Sequence, residues 1–242
     1  MTEYRFFGLR QNPFTHHLFE AHLVRAVDLE LAALLERVRT SNGEKVALAL
    51  AGAAGAGKTE TLRILERTAV KAGVFCLFAD GQQTSATAPG ERTEGPVTRR
   101  WRRGKREPAS EKASLAELSR HQPALLILDN LADTQRVTAV LALLKAGMVV
   151  FCSEDSFAHE FPLLTIPPLS DAEAEQLVAK RLELYRYSRD MDPLYPFTRS
   201  FIAALNQRTH GNPGSLIEQL ARILTQAADR KVLILNRLQE EE

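Results

Sequence analysis

Four of the runs of consecutive apolar residues in the chain, all before residue 153, predict its framework. They span residues 46–50, 74–79, 124–128 and 148–152. Continuous apolar runs of this length predict strands buried on both faces of a parallel sheet. The stretches between them carry apolar residues three or four positions apart, which indicates crossover helices. The alternation predicts an α/β fold, a three-layer sandwich around one parallel sheet.

The chain beyond residue 167 is predicted to be all helical. A rigid connector with two prolines at 167–168 opens it, and Ser170 to Glu173 matches a capping box. Ser215 with Glu218 matches a second capping box before the last helix. The predicted domains are therefore an α/β domain over 1–167 and a small helical lid domain over 168–242.

The first forty residues combine an apolar segment with a long helical pattern. Residues 4–14 hold Phe6, Phe7, Leu9 and Phe14, too apolar a set for a free tail. We expect this segment to pack on the domain surface, either against a bound base or as a simple hydrophobic clasp. Apolar spacing from Phe19 to Val38 predicts one long helix.

The first apolar run leads into Gly52-Ala53-Ala54-Gly55-Ala56-Gly57-Lys58-Thr59, which fits the phosphate-binding P-loop G-x-x-x-x-G-K-[ST]. Its context, a buried strand before and a helix after, is the one the motif requires. Glycines let successive backbone N–H groups approach phosphates at a helix N-terminus. Lys58 would reach the β- and γ-phosphates, and the Thr59 hydroxyl would hold Mg²⁺. The predicted nucleotide-binding residues are Gly52, Gly55, Ala56, Gly57, Lys58, Thr59 and Glu60.

The strand at 124–128 ends in Asp129, a Walker B arrangement in which the carboxylate would orient Mg²⁺. The next residue is Asn130, whose amide can orient a water molecule but cannot accept its proton, so hydrolysis should be slow or arranged differently. Ser153 closes the following strand. It could hydrogen-bond a phosphate or the attacking water, or simply cap the strand end. The predicted catalytic residues are Lys58, Asp129, Asn130 and Ser153, and the predicted metal ligands are Thr59 and Asp129.

Positive charge is concentrated between residues 82 and 113, predicted to be a flexible insertion. That segment holds eight basic and four acidic residues, a net charge of +4, whereas the whole chain of 242 residues carries +1. A basic segment with an aromatic residue suits a nucleic-acid backbone, with the indole free to stack. A solvated loop without a specific function and an acidic protein partner are the alternatives. The predicted nucleic-acid contacts are Arg99, Arg100, Trp101, Arg102, Arg103, Lys105 and Arg106.

Several function classes are disfavoured by composition. The two cysteines, Cys76 and Cys152, lie inside apolar runs and have neither disulfide-framework nor zinc spacing. The N-terminus lacks the basic and apolar regions of a signal peptide, and no apolar stretch is long enough to span a membrane. We expect a cytoplasmic protein.

The motifs together resemble AAA+ ATPases. The resemblance is carried by the P-loop, Asp129, Pro168-Leu169 with Glu173, and Gly211-Asn212-Pro213 before the final helix. It is closest to the branch of the origin-recognition initiators, the ExeA-type ATPases and the TnsC/TniB-type transposition ATPases. The resemblance implies ATP and Mg²⁺ as cofactors, adenine held between the N-terminal segment and the lid, with Pro213 contributing, and ATP-driven homo-oligomer assembly, often on DNA and with a protein partner.

Three departures from the AAA+ pattern are visible. Asn130 occupies the usual glutamate position, residues 149–169 contain no arginine to act as a finger, and the expected lid arginine is Gly214. An arginine finger typically contributes orders of magnitude in rate. These departures favour a nucleotide-gated switch over a fast motor, with Arg208 or Arg222 as conceivable substitutes.

Four functions therefore stay open. The first is a DNA-associated AAA+ regulator with slow ATP hydrolysis that recruits a partner. The second is a STAND-like signalling switch, and the third is a degenerate nucleotide-binding scaffold acting through protein partners. The fourth is a small-molecule kinase or a GTPase, although a GTPase would need an Asn-Lys-x-Asp element that the chain lacks.

Overall fold

The computed structural model of the chain describes most of the sequence outside the basic segment. The described ranges are 3–15, 21–41, 43–80, 83–87, 120–129, 131, 135–152, 160–188 and 190–230. The chain forms two compact units. The first contains Met1–Val24, Gly52–Gly57 and Pro167–Glu242, and the second contains Arg25–Ala51 and Lys58–Ile166. The predicted domain limits, 1–167 and 168–242, stay a prediction.

The second unit is built on a six-stranded sheet. The strands are β1 Lys45–Ala51, β2 Phe75–Asp80, β3 Gln83–Thr87, β4 Ala124–Asp129, β5 Gly147–Cys152 and β6 Leu163–Thr165. Their order across the sheet is β3-β2-β4-β5-β1-β6. Neighbours pair in parallel except β3, which runs antiparallel to β2. The parallel part of the sheet confirms the predicted α/β fold class.

The continuous apolar runs of the central strands explain why these strands are buried. Every residue of β4 and β5 is buried, as expected for continuous apolar runs covered on both faces. In register, Leu50 of β1 pairs with Cys152 of β5, and Leu128 of β4 pairs with Phe151 of β5. Asp129 and Cys152 therefore stand side by side where β4 and β5 end. This edge of the sheet carries the polar residues of interest.

Two strands were not predicted from sequence. Residues 83–87 had been assigned to the insertion, but they form β3 along the free edge of β2. The sequence of β3, Gln-Thr-Ser-Ala-Thr, has neither an apolar run nor an alternation of apolar and polar residues, so hydrophobic patterning does not indicate a strand there. The short strand β6 pairs with the other side of β1 through residues 163–165. The remainder of the predicted insertion, including residues 99–106, lies outside the described residues.

The helices of the second unit whose limits fall within the described residues are α1 Ala26–Thr40, α2 Lys58–Lys71 and α3 Gln135–Leu143. The first begins later than the apolar spacing from Phe19 predicts. Arg25 has an extended backbone, and its N–H donates to the Asp28 carboxylate at 2.8 Å. This cap satisfies an N–H group that would otherwise lack a partner at the helix start, so the helix begins at Ala26.

The first unit is helical, with α4 Asp171–Tyr185, α5 Arg199–Arg208 and α6 Pro213–Arg230. Ser170 and Glu173 form the predicted capping box of α4. The predicted box of Ser215 with Glu218 is wrong. Ser215 lies inside the first turn of α6, and its N–H donates to the Asn212 side-chain oxygen at 3.1 Å. Asparagine as N-cap with proline as first helical residue is a favoured helix start.

The N-terminal segment completes the core of the first unit. Phe7, Leu9 and Phe14 are buried among apolar residues of α4, α5 and α6. Leu9 forms an antiparallel bridge with Arg186, just after α4. The Asn12 amide donates to the Ala221 carbonyl of α6 at 3.0 Å. Three of the four apolar residues of the segment therefore belong to the core of the helical unit, and its contact with a bound base stays a prediction.

Replacing Phe7 by alanine is expected to lower the free energy of unfolding by about 3–5 kcal/mol, because the ring has no exposed surface and its loss leaves a cavity. Phe6→Ala is a matched control, since the neighbouring ring is 48 % exposed. It should cost about 1 kcal/mol or less. Urea unfolding of both variants measures the difference, and equal losses would contradict the assignment of Phe7 to the core.

Candidate nucleotide-binding site

The P-loop residues 52–57 leave β1 in a tight glycine turn. Gly55 and Gly57 adopt φ angles of +79° and +97°, a left-handed region that side chains disfavour. The Ala56 N–H closes the turn on the Ala53 carbonyl at 3.0 Å. The glycines at these motif positions are therefore required by the backbone.

The next residues start α2 and reach the end of β4. The Thr59 hydroxyl donates to Asp129 Oδ2 at 2.8 Å, although the two residues are 70 positions apart. Asp129 is buried, with 4 % of its surface exposed. The Cys152 thiol donates to Asp129 Oδ1. The carboxylate is thus held by one donor on each oxygen, at the edge where β4 and β5 end.

This pair has the chemistry of a magnesium site. A hydroxyl and a carboxylate oxygen are hard ligands of the kind that Mg²⁺ prefers, usually with waters and phosphate oxygens completing its shell. The described residues contain no group of three or more histidine, cysteine or acidic side chains able to hold a metal by themselves. Thr59 and Asp129 stay predicted metal ligands.

The start of α6 touches the P-loop directly. The Asn212 side-chain nitrogen donates to the Ala54 carbonyl at 2.6 Å, and the Gly214 N–H donates to the Gly55 carbonyl at 3.0 Å. We call this pair of hydrogen bonds the loop–helix contact. Asn212 is not among the site residues predicted from the sequence. The Asn-Pro pair does indicate a helix cap. No local sequence pattern shows which backbone carbonyl accepts a hydrogen bond from the Asn212 side-chain nitrogen.

Two of the remaining predicted site residues lie in described helices. Glu60 lies in the first turn of α2 and is partly buried, and Pro213 is the first residue of α6. Asn130 and Ser153 lie outside the described residues, as does the basic stretch 99–106. The assignment of all these residues to nucleotide, metal, catalysis or DNA stays a prediction.

The two cysteines are free and buried. Burial raises the pKa of the Cys76 thiol well above its usual range, because a thiolate there would lose its hydration. A thiol held neutral is inert at ordinary pH, so Cys76 behaves as a small apolar residue. Cys152 differs in that its thiol contacts Asp129.

The two arginines considered as substitutes for a finger are both on helices of the first unit. Arg208 ends α5 and is exposed. Arg222 lies on α6, where it donates to the Gln219 side chain at 2.8 Å. The positions of Arg208 and Arg222 do not assign either side chain to a phosphate.

The chain matches no family model and no curated protein, but its fold has clear relatives among solved structures. Cdc6p from Pyrobaculum aerophilum is 16 % identical with a TM-score of 0.59, over 91 % of this chain and 66 % of that one. Aeropyrum pernix ORC1, solved in complex with DNA, is 19 % identical with a TM-score of 0.58, over 90 % and 64 %. Aeropyrum pernix ORC2 in its ADP form is 14 % identical with a TM-score of 0.60, over 93 % and 70 %.

These likenesses establish the fold. The chain shares the α/β and helical architecture of Cdc6p, ORC1 and ORC2, and its resemblance to the AAA+ origin-recognition branch stays a prediction beyond that shared fold. It spans about two thirds of the length of these relatives. The resemblance to ExeA-type and TnsC/TniB-type proteins stays a prediction. Among the described residues, no helix has both the length and the apolar character to cross a membrane.

Proposed function

We propose that this protein binds ATP with Mg²⁺ and acts as a nucleotide-gated AAA+ regulator. The observation that carries the proposal is the hydrogen bond between Thr59 and Asp129. These are the P-loop residue and the strand-end carboxylate that a phosphate-bound magnesium ion requires. Two motifs far apart in sequence therefore converge at one point, which an accidental glycine-rich turn would not explain.

Each residue of the site has a distinct task in this proposal. Backbone N–H groups of the P-loop bind phosphate oxygens, except that of Ala56, which meets the Ala53 carbonyl, and the Lys58 ammonium pairs with the β- and γ-phosphates. Thr59 and Asp129 would hold Mg²⁺, which supplies charge neutralisation on the phosphate oxygens when bound. Cys152 keeps the Asp129 carboxylate oriented through its second oxygen.

Hydrolysis is expected to be slow. Asn130 cannot take a proton from the attacking water, and the sequence places no arginine between residues 149 and 169. In a phosphate-release assay at saturating Mg-ATP, the protein alone should turn over fewer than about one ATP per second. Asn130→Glu should raise that rate while leaving ATP affinity unchanged. Several turnovers per second by the unmodified protein would contradict the proposal of a slow switch.

We further propose that ATP binding controls assembly of a homo-oligomer on DNA and recruitment of a protein partner. The basic segment 99–106 supports DNA, since six of its eight residues are arginine or lysine. The Aeropyrum pernix ORC1 relative was solved with DNA. Size-exclusion chromatography with ATP, with ADP and with duplex DNA tests assembly. An elution volume that none of these changes would argue against it.

A second function, a switch or scaffold that acts through proteins without DNA, is favoured by one observation. Gly214 stands where the AAA+ pattern expects a phosphate-sensing arginine, and its backbone is engaged by the P-loop. The two functions differ in a simple measurement. A DNA-dependent regulator raises its ATPase rate when duplex DNA is added, and a scaffold does not.

A further inference from the structure

The first turn of α6 has no backbone donor left for a ligand. Pro213 has no N–H, and the Gly214 N–H is taken by the Gly55 carbonyl. The N–H groups of Ser215 and Leu216 go to the side-chain and main-chain oxygens of Asn212. The helix start therefore cannot bind a phosphate through its own N–H groups, which is the usual role of such a terminus.

What the helix start does hold is the P-loop backbone. In a planar trans peptide, the C=O of one residue and the N–H of the next point to opposite sides. With the Ala54 carbonyl directed to Asn212, the Gly55 N–H faces away from α6. With the Gly55 carbonyl directed to Gly214, the Ala56 N–H also faces away, toward the Ala53 carbonyl that it meets. The loop–helix contact thus fixes two successive peptide planes of the P-loop.

Both partners of the contact need to be small. A Cβ added at Gly55 would come within 2.6 Å of the Asn212 side-chain oxygen. A Cβ at Gly214 would approach the Gly55 Cα at 3.0 Å and its carbonyl oxygen at 3.1 Å. The absence of a side chain at residue 214 is therefore a condition of the close approach, and it gives that position a role other than that of the missing arginine.

We propose that Asn212 and Gly214 are positioning residues that act on the nucleotide through the P-loop, by holding the Ala54 and Gly55 carbonyls. The inference rests on the proposed ATP binding. A loop held in its binding geometry loses less conformational freedom when a phosphate enters, so ATP binds more tightly. Linkage requires the reverse as well: bound ATP stabilises the loop–helix contact and with it the start of α6.

Two substitutions separate this role from simple helix capping. Asn212→Asp and Asn212→Ser both keep a side-chain oxygen for the Ser215 N–H, and all three residues are good N-caps. Aspartate has no donor for the Ala54 carbonyl, and the serine hydroxyl is too short to reach it. The serine variant adds no charge, so it controls for repulsion between aspartate and phosphate. Ser215→Ala is the matched control, because Ser215 lies three residues after Asn212 in the same helical turn and its side chain is exposed.

The experiment measures the dissociation constant of Mg-ATP by titration calorimetry and the midpoint of thermal unfolding without nucleotide. We expect both Asn212 variants to bind ATP about tenfold more weakly, the loss of about one hydrogen bond. Their unfolding midpoints should fall by about 2–4 °C at most, since one intramolecular hydrogen bond is lost while the helix cap is kept. Gly214→Ala should also weaken ATP binding, even though alanine favours helix.

The outcomes are distinguishable. If the unmodified protein binds no ATP, the proposed function fails and this inference fails with it. If it binds ATP and the two Asn212 variants bind equally well, the inference alone is overturned and Asn212 is only a cap. In the unmodified protein, saturating ATP should slow hydrogen exchange at the Gly214 amide. Unchanged exchange there would overturn the reciprocal coupling.

Discussion

Replacing Lys58 by alanine is expected to abolish ATP binding at micromolar concentrations. Lys58 is the first residue of α2, directly after the glycine turn. An ammonium group there meets phosphates that carry most of the charge of the nucleotide. Hydrogen bonds to charged groups are worth about 1.5–3 kcal/mol each, so the dissociation constant should rise by about 100-fold. Titration calorimetry with Mg-ATP measures this.

The same helix provides the control. Lys71 is at the other end of α2 and is exposed, so Lys71→Ala makes an equal change in charge far from the glycine turn. Its ATP affinity should match that of the unmodified protein. The proposed site would be refuted by Lys58→Ala binding ATP normally, provided that its thermal unfolding shows a folded protein.

Neutralising the arginines of the basic segment is expected to remove DNA binding and leave ATP binding intact. A variant with glutamine at positions 99, 100, 102 and 103 loses four of the eight basic residues in the insertion. Each lost phosphate contact lowers the slope of log affinity against log salt by about 0.9, so the full effect is a slope smaller by up to about 4. Gel shifts with duplex DNA over a salt series measure both affinity and slope.

A second variant with the same change in charge tests whether position matters. It replaces four exposed basic residues of described helices by glutamine: Lys71, Arg199, Arg222 and Arg230. This variant should bind DNA almost as well as the unmodified protein. The nucleic-acid hypothesis fails if the unmodified protein shows no shift at low salt, and net charge alone is responsible if both variants lose binding equally.

Much of the sheet could be predicted from the chain because its central strands are apolar on both faces. β1, β2, β4 and β5 all coincide within a residue or two with the apolar runs. The signal is strong because burial on both sides leaves no position for a polar residue. The order of the strands, with β5 between β1 and β4, was not predictable, since apolar runs do not state their neighbours.

The elements that sequence missed are those whose stability comes from the tertiary structure. β3 is polar and is recognisable only from its pairing with β2. α1 begins at Ala26, later than the apolar spacing predicts. The Asp28 carboxylate accepts a hydrogen bond from the Arg25 N–H, and this cap fixes the helix start. In both places a hydrogen bond, which leaves little trace in the hydrophobic pattern, decided the boundary.

The residues of the candidate site also fall into two groups, those that a sequence motif identifies and those that only a tertiary contact identifies. Lys58, Thr59 and Asp129 could be predicted because each belongs to a short, contiguous sequence motif. The structure brings Thr59 and Asp129 together. Asn212 could not be predicted, because its contact with the Ala54 carbonyl depends on the tertiary position of the start of α6. Gly214 looked like the loss of an arginine, whereas its close packing on Gly55 gives the glycine a structural reason.

The two borders of the sheet have a consequence for self-association. An unpaired apolar strand is a template on which another chain can add, and this is a common route to aggregation. The apolar strand β2 would be such a template, but β3 covers it with a sequence rich in threonine, serine and glutamine. At the other border, β6 has three residues, too few to support a stable added strand.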